Sequence, residues 1–365
     1  MSNIFTRSPF FVSLTSTANT ETSVKLYIWN GTGSVPASPQ YTLSKPIPSS
    51  VVTTVDYNIS PYICEYIDFI APQTAPNYNN YSLATTSQWC NVQVKTYISG
   101  VLQATTTYRA FYGYSLFTEG YNKDLGSEHL DEGIYYYYYD PTGDISTTDR
   151  ICGGQIQIIT GTSNYTKVKY TNMDTAATYT TPNLTSDRVY RVPRIYPNYY
   201  GYKNKVEILD HTNAVVGTYY FYPIEECKND VITVDFINRY GAWDRTFLFA
   251  ASTNSFDVRN TDWNSYPPSV NYNPLVGTKQ TFNTNYNENI SCNTGWVNED
   301  YISVIKQMMN SERILIYYKD DTGAFDQVPV KMRTKSMQKQ KHLTEKLINY
   351  KIEFDFAYDS LNIVQ

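Results

Sequence analysis

From residue 10 to about 118 apolar and polar side chains alternate with a period of two. Val24, Leu26 and Ile28 fall on one side of the pattern and Lys25, Tyr27 and Trp29 on the other, as a strand with one buried face requires. Tyr62 to Phe69 and Asn91 to Ile98 repeat it. Ser99 and Gly100 then interrupt the alternation before Leu102 to Tyr112 resumes it, which is how a hairpin is written in sequence. Roughly six or seven short strands in a stretch of this length predict a β-sandwich of immunoglobulin or fibronectin type over residues 1–118. The subtype rests on strand number, since no inter-sheet cysteine pair can be assigned.

The texture changes between Phe117 and Arg150. Gly120, Gly126, Gly133 and the acidic run Glu128 to Glu132 lead into the consecutive tyrosines Tyr135 to Tyr139, so residues 119–150 are expected to be a connecting segment that feeds a strand. Asp140 to Gly143 places proline and glycine where a tight turn wants them. A second β-sandwich is expected over 151–230, with strands at Gly154 to Thr160, Lys167 to Thr171, Asp187 to Val192, Lys205 to Leu209 and Val215 to Tyr222. Residues 231–365 read as an α+β domain. Val231 to Asn238, Arg245 to Ala250, Arg313 to Tyr318 and Val328 to Thr334 carry strand patterns, as does the closing alternation of Ile352, Phe354, Phe356 and Tyr358 with Lys351, Glu353 and Asp355. Gly295 to Ser311 instead has helical period. Asn298 can cap it, Glu299 and Asp300 favour the positive end of its dipole, and Val297, Tyr301, Val304, Ile305 and Met308 form one apolar stripe. One helix packed on a sheet is the expected third domain.

Composition sharpens this picture. Hydrophobic residues are 41% of the chain and charged ones only 17%, below the roughly 25% usual in soluble proteins, so much of the surface is covered by something other than charge. The 37 tyrosines supply it: a stiff, amphipathic ring gives contact area at low entropic cost and suits strand faces and subunit interfaces. Tyrosine filling half-buried strand positions is the simpler account of the same excess. A net charge of −5 and a pI near 5.3 leave no overall nucleic-acid footprint. Cys64, Cys90, Cys152, Cys227 and Cys292 lack a C-x-x-C spacing and are odd in number, so they are expected to be buried thiols of a chain made in a reducing cytoplasm. Met1 to Leu14 contains no apolar stretch of signal-peptide length, and no apolar run is long enough to span a bilayer.

Candidate chemistry is sparse. His129, His211 and His342 lie far apart in polar or turn-like settings, and no nucleophile-elbow, phosphate-loop, zinc-helix, dinucleotide or EF-hand pattern occurs. No cofactor is implied. Carboxylates cluster at Glu128, Asp131 and Glu132, at Glu225 and Glu226, and at Asp320, Asp321 and Asp326. Such groups suit glycoside hydrolysis or calcium, but they sit at turns, where solvated carboxylates are the rule. One charge pattern supports a hypothesis. Lys331, Arg333, Lys335, Lys339, Lys341 and Lys346 face only Glu345 as a local acid in an otherwise acidic chain, a segment suited to an acidic partner surface or to DNA in a channel; a solvated hairpin is the plainer alternative.

Several phrases are similar to a known group of proteins. Tyr220 to Asp244, with its short acidic turn, a strand ending in Phe236, Ile237 and Asn238, then Arg239, Tyr240 and Gly241, resembles a phrase of tail proteins of tailed bacteriophages. Thr294 to Tyr301 followed by Val304 to Glu312 looks like their single helix, and Val328 to Ser336 with Lys346 to Asp359 like their terminal hairpin. Phe5 to Phe11 and Ile59 to Ile63 fit in particular those of crAss-like phages. With the strands between them these phrases span about half the chain, and residues 151–230 match least. The resemblance implies a non-enzymatic neck or tail ring protein of the virion, made in the host bacterial cytoplasm and present as identical copies in a cyclic ring. Portal, other ring or tail hub proteins would be its neighbours, and genomic DNA a transient contact. The alternative is a receptor- or carbohydrate-binding β module of a fibre, although Trp29, Trp89, Trp243, Trp263 and Trp296, the usual sugar-stacking residues, are dispersed.

Overall fold

The computed structural model describes residues 2–16, 20–31, 33–47, 53–68, 82–83, 88–139, 154–161, 166–226, 228–266, 270–271, 273, 275, 277–319, 325–338, 347–359 and 361. The fold is mainly β. Two compact units share the chain, Met1–Glu225 with Asp235–Thr246, and Glu226–Val234 with Phe247–Gln365. The boundaries expected at 118 and 150 lie inside the first unit, and the one at 230 lies beside the first passage between units.

The first unit begins with β1 (Ser2–Phe5), β2 (Phe11–Ser16), β3 (Thr20–Asn30), β4 (Tyr41–Ile47), β5 (Thr53–Asn58), the short helix α1 (Ser60–Cys64), β6 (Ser82–Leu83), β7 (Trp89–Ile98) and β8 (Val101–Phe111). Five of these strands form a sheet in the order β1-β8-β7-β3-β4, with β1 parallel to β8. The antiparallel pair β2 and β5 lies across the core from it: Leu14 and Tyr57 pack with Val24, Leu26 and Ile28 of β3, Val92 and Val94 of β7, and Ile63 of α1. The alternation in β3 is thus a burial pattern, and its other face carries Lys25 over the Tyr97 ring at 4.7 Å. The Tyr57 hydroxyl is buried, and it donates to the Thr22 carbonyl at 2.8 Å, so its burial leaves no orphaned polar group. The predicted turn at Ser99 and Gly100 has both residues at positive φ, which matches the twist of the strands it joins. The stretch Tyr62 to Phe69, expected to alternate as a strand, is not one over its described residues: Ser60–Cys64 form helix α1, and the buried apolar side chains are Ile59, Ile63 and Ile67, one helical turn apart. Pro61 occupies the helix's first turn, where a missing N–H is harmless.

The same unit continues with β9 (Gly133–Tyr139), β10 (Gln155–Ile159), β11 (Lys167–Asn172), β12 (Thr178–Thr180), β13 (Val189–Pro193), β14 (Asn204–Leu209) and β15 (Val215–Glu225). One sheet runs β12-β11-β14-β15-β9, with β9 parallel to β15, and a second runs β10-β13-β6. The tyrosine run is therefore a sheet strand: Tyr135 and Tyr137 point into the core while Tyr136 and Tyr138 are half-buried, the strand that the connecting segment was expected to feed. β6 comes from between β5 and β7 yet pairs with Tyr190 and Arg191, which ties the two halves of the unit together. A second buried cluster joins them, with Phe5, Trp89 and Phe111 meeting Ile159, Val189 and Tyr240.

Strands β16 (Ile232–Ile237) and β17 (Trp243–Leu248) pass between the units, and their connecting end, Asp235–Thr246, folds into the first. Gly241, at φ 77°, backs onto Tyr112, whose backbone nitrogen would lie 2.6 Å from any added Cβ, and a Cβ on Gly113 would collide with the Arg239 carbonyl and the Phe5 ring. Only glycine permits this approach.

The second unit holds β18 (Ala250–Asn264), β19 (Lys279–Asn293), β20 (Val297–Asn298), helix α2 (Ile302–Met309), β21 (Ile314–Lys319), β22 (Phe325–Met332), β23 (Leu347–Ile348) and β24 (Lys351–Phe356). Its sheet runs β21-β22-β24-β19-β18, and the parts of β16 and β17 that belong to this unit extend it beyond β21. The helix is shorter than the expected Gly295 to Ser311. Val297 and Asn298 pair with β23 instead, and a 3-10 turn over Glu299–Tyr301 precedes α2. Local strand pairing takes the first residues that helical period alone would include. The stripe itself is as expected: Val297, Tyr301, Val304, Ile305 and Met308 are all buried, and the Asn298 side chain accepts from the Asp300 N–H at 3.0 Å.

Candidate assembly interface

The most exposed ordered element is one for which the hydrophobic pattern predicts nothing. β18 and β19 are 15 residues each, yet among the described residues β24 pairs only with Asn289–Asn293 of β19, and β18 has β19 as its only strand neighbour. At about 3.3 Å per residue each strand is about 50 Å long, so the pair forms an arm extending from the sheet. Beyond Ala250 every residue of β18 is exposed.

The arm's side chains explain both its strand form and its invisibility in the sequence. Near its base Ile290 and Cys292 are buried in the unit. Further out Phe256 lies opposite Glu288 and Val258 opposite Tyr286, and Phe256 and Tyr286 meet edge to face at 6.2 Å. The register shifts beyond Arg259, where Asn283 has φ 50°. The extra residue in β19 there turns Phe282 to the face opposite Phe256 and Val258, the face on which Trp263 falls by alternation along β18. Phe256 is 69% exposed, and Val258, Trp263 and Phe282 are exposed as well. Both faces of the arm therefore carry uncovered apolar groups.

At the base of the arm, Thr253, Ser255, Asp257, Asn289, Ser291, Arg333, Lys351 and Glu353 line an open polar cleft of about 400 Å³. Part of the predicted basic segment is found here. Arg333 reaches Asp257 and Asp355 at 3.4 Å each and Glu353 at 3.9 Å. Its guanidinium is spent on this exposed network, whose pairs are each worth about 0–1 kcal/mol. Lys331 is exposed on β22, in register with Asp355, and Lys335 is exposed just beyond the strand. Lys339, Lys341 and Lys346 lie outside the described residues.

A second constellation, in the first unit, escaped the sequence reading. Arg194 is buried, pairs with Asp244, donates to the Arg245 carbonyl at 2.9 Å and lies 5.3 Å from the Tyr135 ring centroid. Arg245 holds both carboxylate oxygens of Asp235 at 2.7 Å. The Arg194–Asp244 pair thus fastens the Asp235–Thr246 end to the rest of the first unit, and the Arg245–Asp235 pair ties the two strands of that end to each other. The available signal was the presence of Asp235, Asp244 and Arg245 inside otherwise apolar strands, where charge is tolerated only when paired.

His129, expected in a hydrophilic setting, is instead buried. The acidic neighbours that suggested exposure point elsewhere, and its own ring sits edge-on to Phe111 at 4.5 Å and stacked on Tyr240 at 5.6 Å. The Gln157 amide donates to its Nδ1 at 2.8 Å, which places the proton on Nε2, an atom with no hydrogen-bond partner among the described residues. Burial, with the Arg109 guanidinium adding to it, brings the imidazole pKa down to about 3.

The other expected groups do not converge. Asp131 accepts from the Tyr240 hydroxyl at 2.5 Å, Glu132 from the Thr218 N–H at 2.9 Å, and Glu226 from the Lys228 N–H at 2.6 Å, all of them turn or packing contacts. Glu225 closes β15, Asp326 lies in β22 opposite Tyr318, and Asp320 and Asp321 lie outside the described residues. His211 occupies an exposed turn and His342 is outside the described residues. Cys90 and Cys292 are buried, and burial pushes both thiols up to about 12; Cys64 is half-buried, while Cys152 and Cys227 lie outside the described residues. Among the described residues no helix is long and apolar enough to cross a membrane. No protein-family model matches the chain, and no curated protein matches it significantly.

Proposed function

We propose that this chain is a non-enzymatic structural subunit of a phage virion, repeated as a ring in the neck or tail between portal and distal tail. The observation that carries the reading is the arm of β18 and β19, a long ordered element with apolar groups exposed on both faces. An isolated soluble chain gains nothing from such a surface, whereas an assembly buries it. The first unit supplies the rigid body that a ring subunit needs, its halves joined by β6 and by the Phe5–Tyr240 cluster. The phage-like phrases of the sequence give the reading its place in a virion.

The finer fold assignment belongs to the same proposal. In each half of the first unit the opening strand runs parallel to the closing one at one side of a five-stranded sheet, and a smaller sheet, β2 with β5 in the first half and β10 with β13 and β6 in the second, is separate from it. That connectivity supports two immunoglobulin-like sandwiches in tandem, followed by an α+β domain whose helix lies on its sheet. Identical neighbours in the ring, and portal, other ring or hub proteins above and below, are the partners of this reading. DNA is a transient contact of Lys331, Lys335 and the lysines that follow. Imaging of the assembled particle should locate the chain as a closed ring of copies around the axis. A chain found singly, or absent from virions, removes the reading.

A second reading has its own observation. Trp296 is 68% exposed, as is Trp263 to a lesser degree, and exposed tryptophan stacks on sugars, which favours a receptor- or carbohydrate-binding module. Binding of the intact chain on a glycan array, lost in Trp296→Ala, separates it from the ring reading.

A further inference from the structure

We infer that the β18–β19 arm is the contact between copies: each chain lays its arm on the next copy, and the outer edge of β18 adds as a strand to that neighbour. The inference rests on the structural-subunit reading and names the surface through which it works.

The edge itself is the first argument. An edge strand presents a row of backbone N–H and C=O groups, and monomeric proteins block such edges with lysine, proline, brevity or a covering element. In this chain β4, also an edge strand, carries Lys45 and Pro46, the usual defences. β18 is 15 residues long, has neither lysine nor proline, and among the described residues no strand covers its outer edge; Asp257, Arg259, Asp262 and two register shifts are the interruptions along it. An edge of that length with so light a defence is open to pairing with another chain.

Charge argues that the occupant is a second copy. Residues 250–293 contain Arg259 and Lys279 against Asp257, Asp262 and Glu288, close to neutrality in a chain of net charge −5. A slight excess of acid rules out a nucleic-acid arm, and the near balance lets two acidic chains meet where their mutual repulsion is weakest. Size agrees: two 15-residue strands supply about the 20–30 residues that one side of a standard interface needs. Where β18 adds to an edge other than a second β18, the contact is head-to-tail and repeats around a ring.

The test uses the intact chain and two variants, compared by sedimentation velocity across a concentration series. In the first variant an Asn-Gly turn replaces residues 256–288, joining Ser255 to Asn289 and keeping Asn289–Asn293 on β24. The second is Phe256→Lys with Val258→Lys, two exposed positions whose change leaves the core intact. The intact chain is expected to form a discrete oligomer. The shortened chain is expected to be monomeric with an unchanged thermal midpoint, and the double lysine variant to associate at least tenfold more weakly; the latter decides the matter if the shortened chain fails to fold. Variants that associate like the intact chain overturn the arm's role while leaving the ring reading standing. An intact chain that is monomeric at every concentration, alone and with its virion neighbours, removes both. One that stays monomeric until another virion protein is added overturns the self-contact and assigns the arm to that protein.

Discussion

His129 is bounded by Phe111 and Tyr240 with its Nε2 proton unmatched, so the folded chain has no means of solvating a charge there. The unfolded chain takes up a proton near 6.5, the folded chain only near 3. Stability from this group is therefore fully present above 6.5 and is lost on acidification through that window, at about 1.4 kcal/mol per pH unit. Urea midpoints measured from pH 7 to 5 should fall for the natural chain and fall less for His129→Gln; equal slopes would remove the assignment. The buried pair of Arg194 and Asp244 behaves differently. Arg194→Met leaves a buried carboxylate without its cation and should cost about 3–5 kcal/mol, whereas Arg194→Met with Asp244→Leu should recover much of that loss. A double-mutant cycle by denaturation reads the difference directly. Gly241→Ala meets both the φ of 77° and the Tyr112 backbone and should lower stability by more than about 1 kcal/mol.

At the scale of elements, α2 and the arm show when a hydrophobic period is informative. The helix is legible because one face is buried and the other wet, so Val304, Ile305 and Met308 recur at the right spacing. Ile305→Ala should accordingly cost about 2–5 kcal/mol and Asn298→Ala about 1 kcal/mol, both measurable as shifts in the urea midpoint. The arm lacks a period because little of its outer part is covered by its own chain: Asn285 of β19 is buried and exchanges hydrogen bonds with Leu361, but every residue of β18 beyond Ala250 is exposed, and its Asn, Ser and Thr residues read as loop. A single strand thus contains two regimes. Ile290→Asn, at the buried base, should lower the thermal midpoint by many degrees, whereas Phe256→Asn should leave the midpoint in place and weaken association. Similar losses of midpoint at both positions would show that the outer arm is packed within its own chain.

For the whole molecule, electrostatics and assembly are the relevant terms. The chain is acidic overall, but the 331–346 segment is not, and only Arg333 among its described cations is held by acids, those of β18 and β24. If the segment meets an acidic surface in the particle, Lys335→Gln, Lys339→Gln and Lys341→Gln together should weaken assembly most at low salt, where the Debye length is longest. Assembly with no response at any ionic strength discards that partner. Strands with one buried face, such as β3, β7 and β8 with the turn at Ser99 and Gly100, were legible because alternating burial writes itself into alternating sequence, whereas Tyr62 to Phe69, which alternates too, holds helix α1. The clasp of Arg194, Asp244, Arg245 and Asp235 was not, since its partners lie about 10 to 50 residues apart and only folding brings them together.

The amino-acid order alone determined the mainly β character, strands such as β3, β7, β8 and β24 and the apolar stripe of α2, because each follows from local periodicity and turn chemistry. Tertiary structure decided which strands became neighbours, that β6 would join a distant sheet, that His129 would be dry, and that the outer parts of β18 and β19 would stand out as an arm. Pairing, burial and exposure are properties of a residue's surroundings, and those are set by segments remote in the chain.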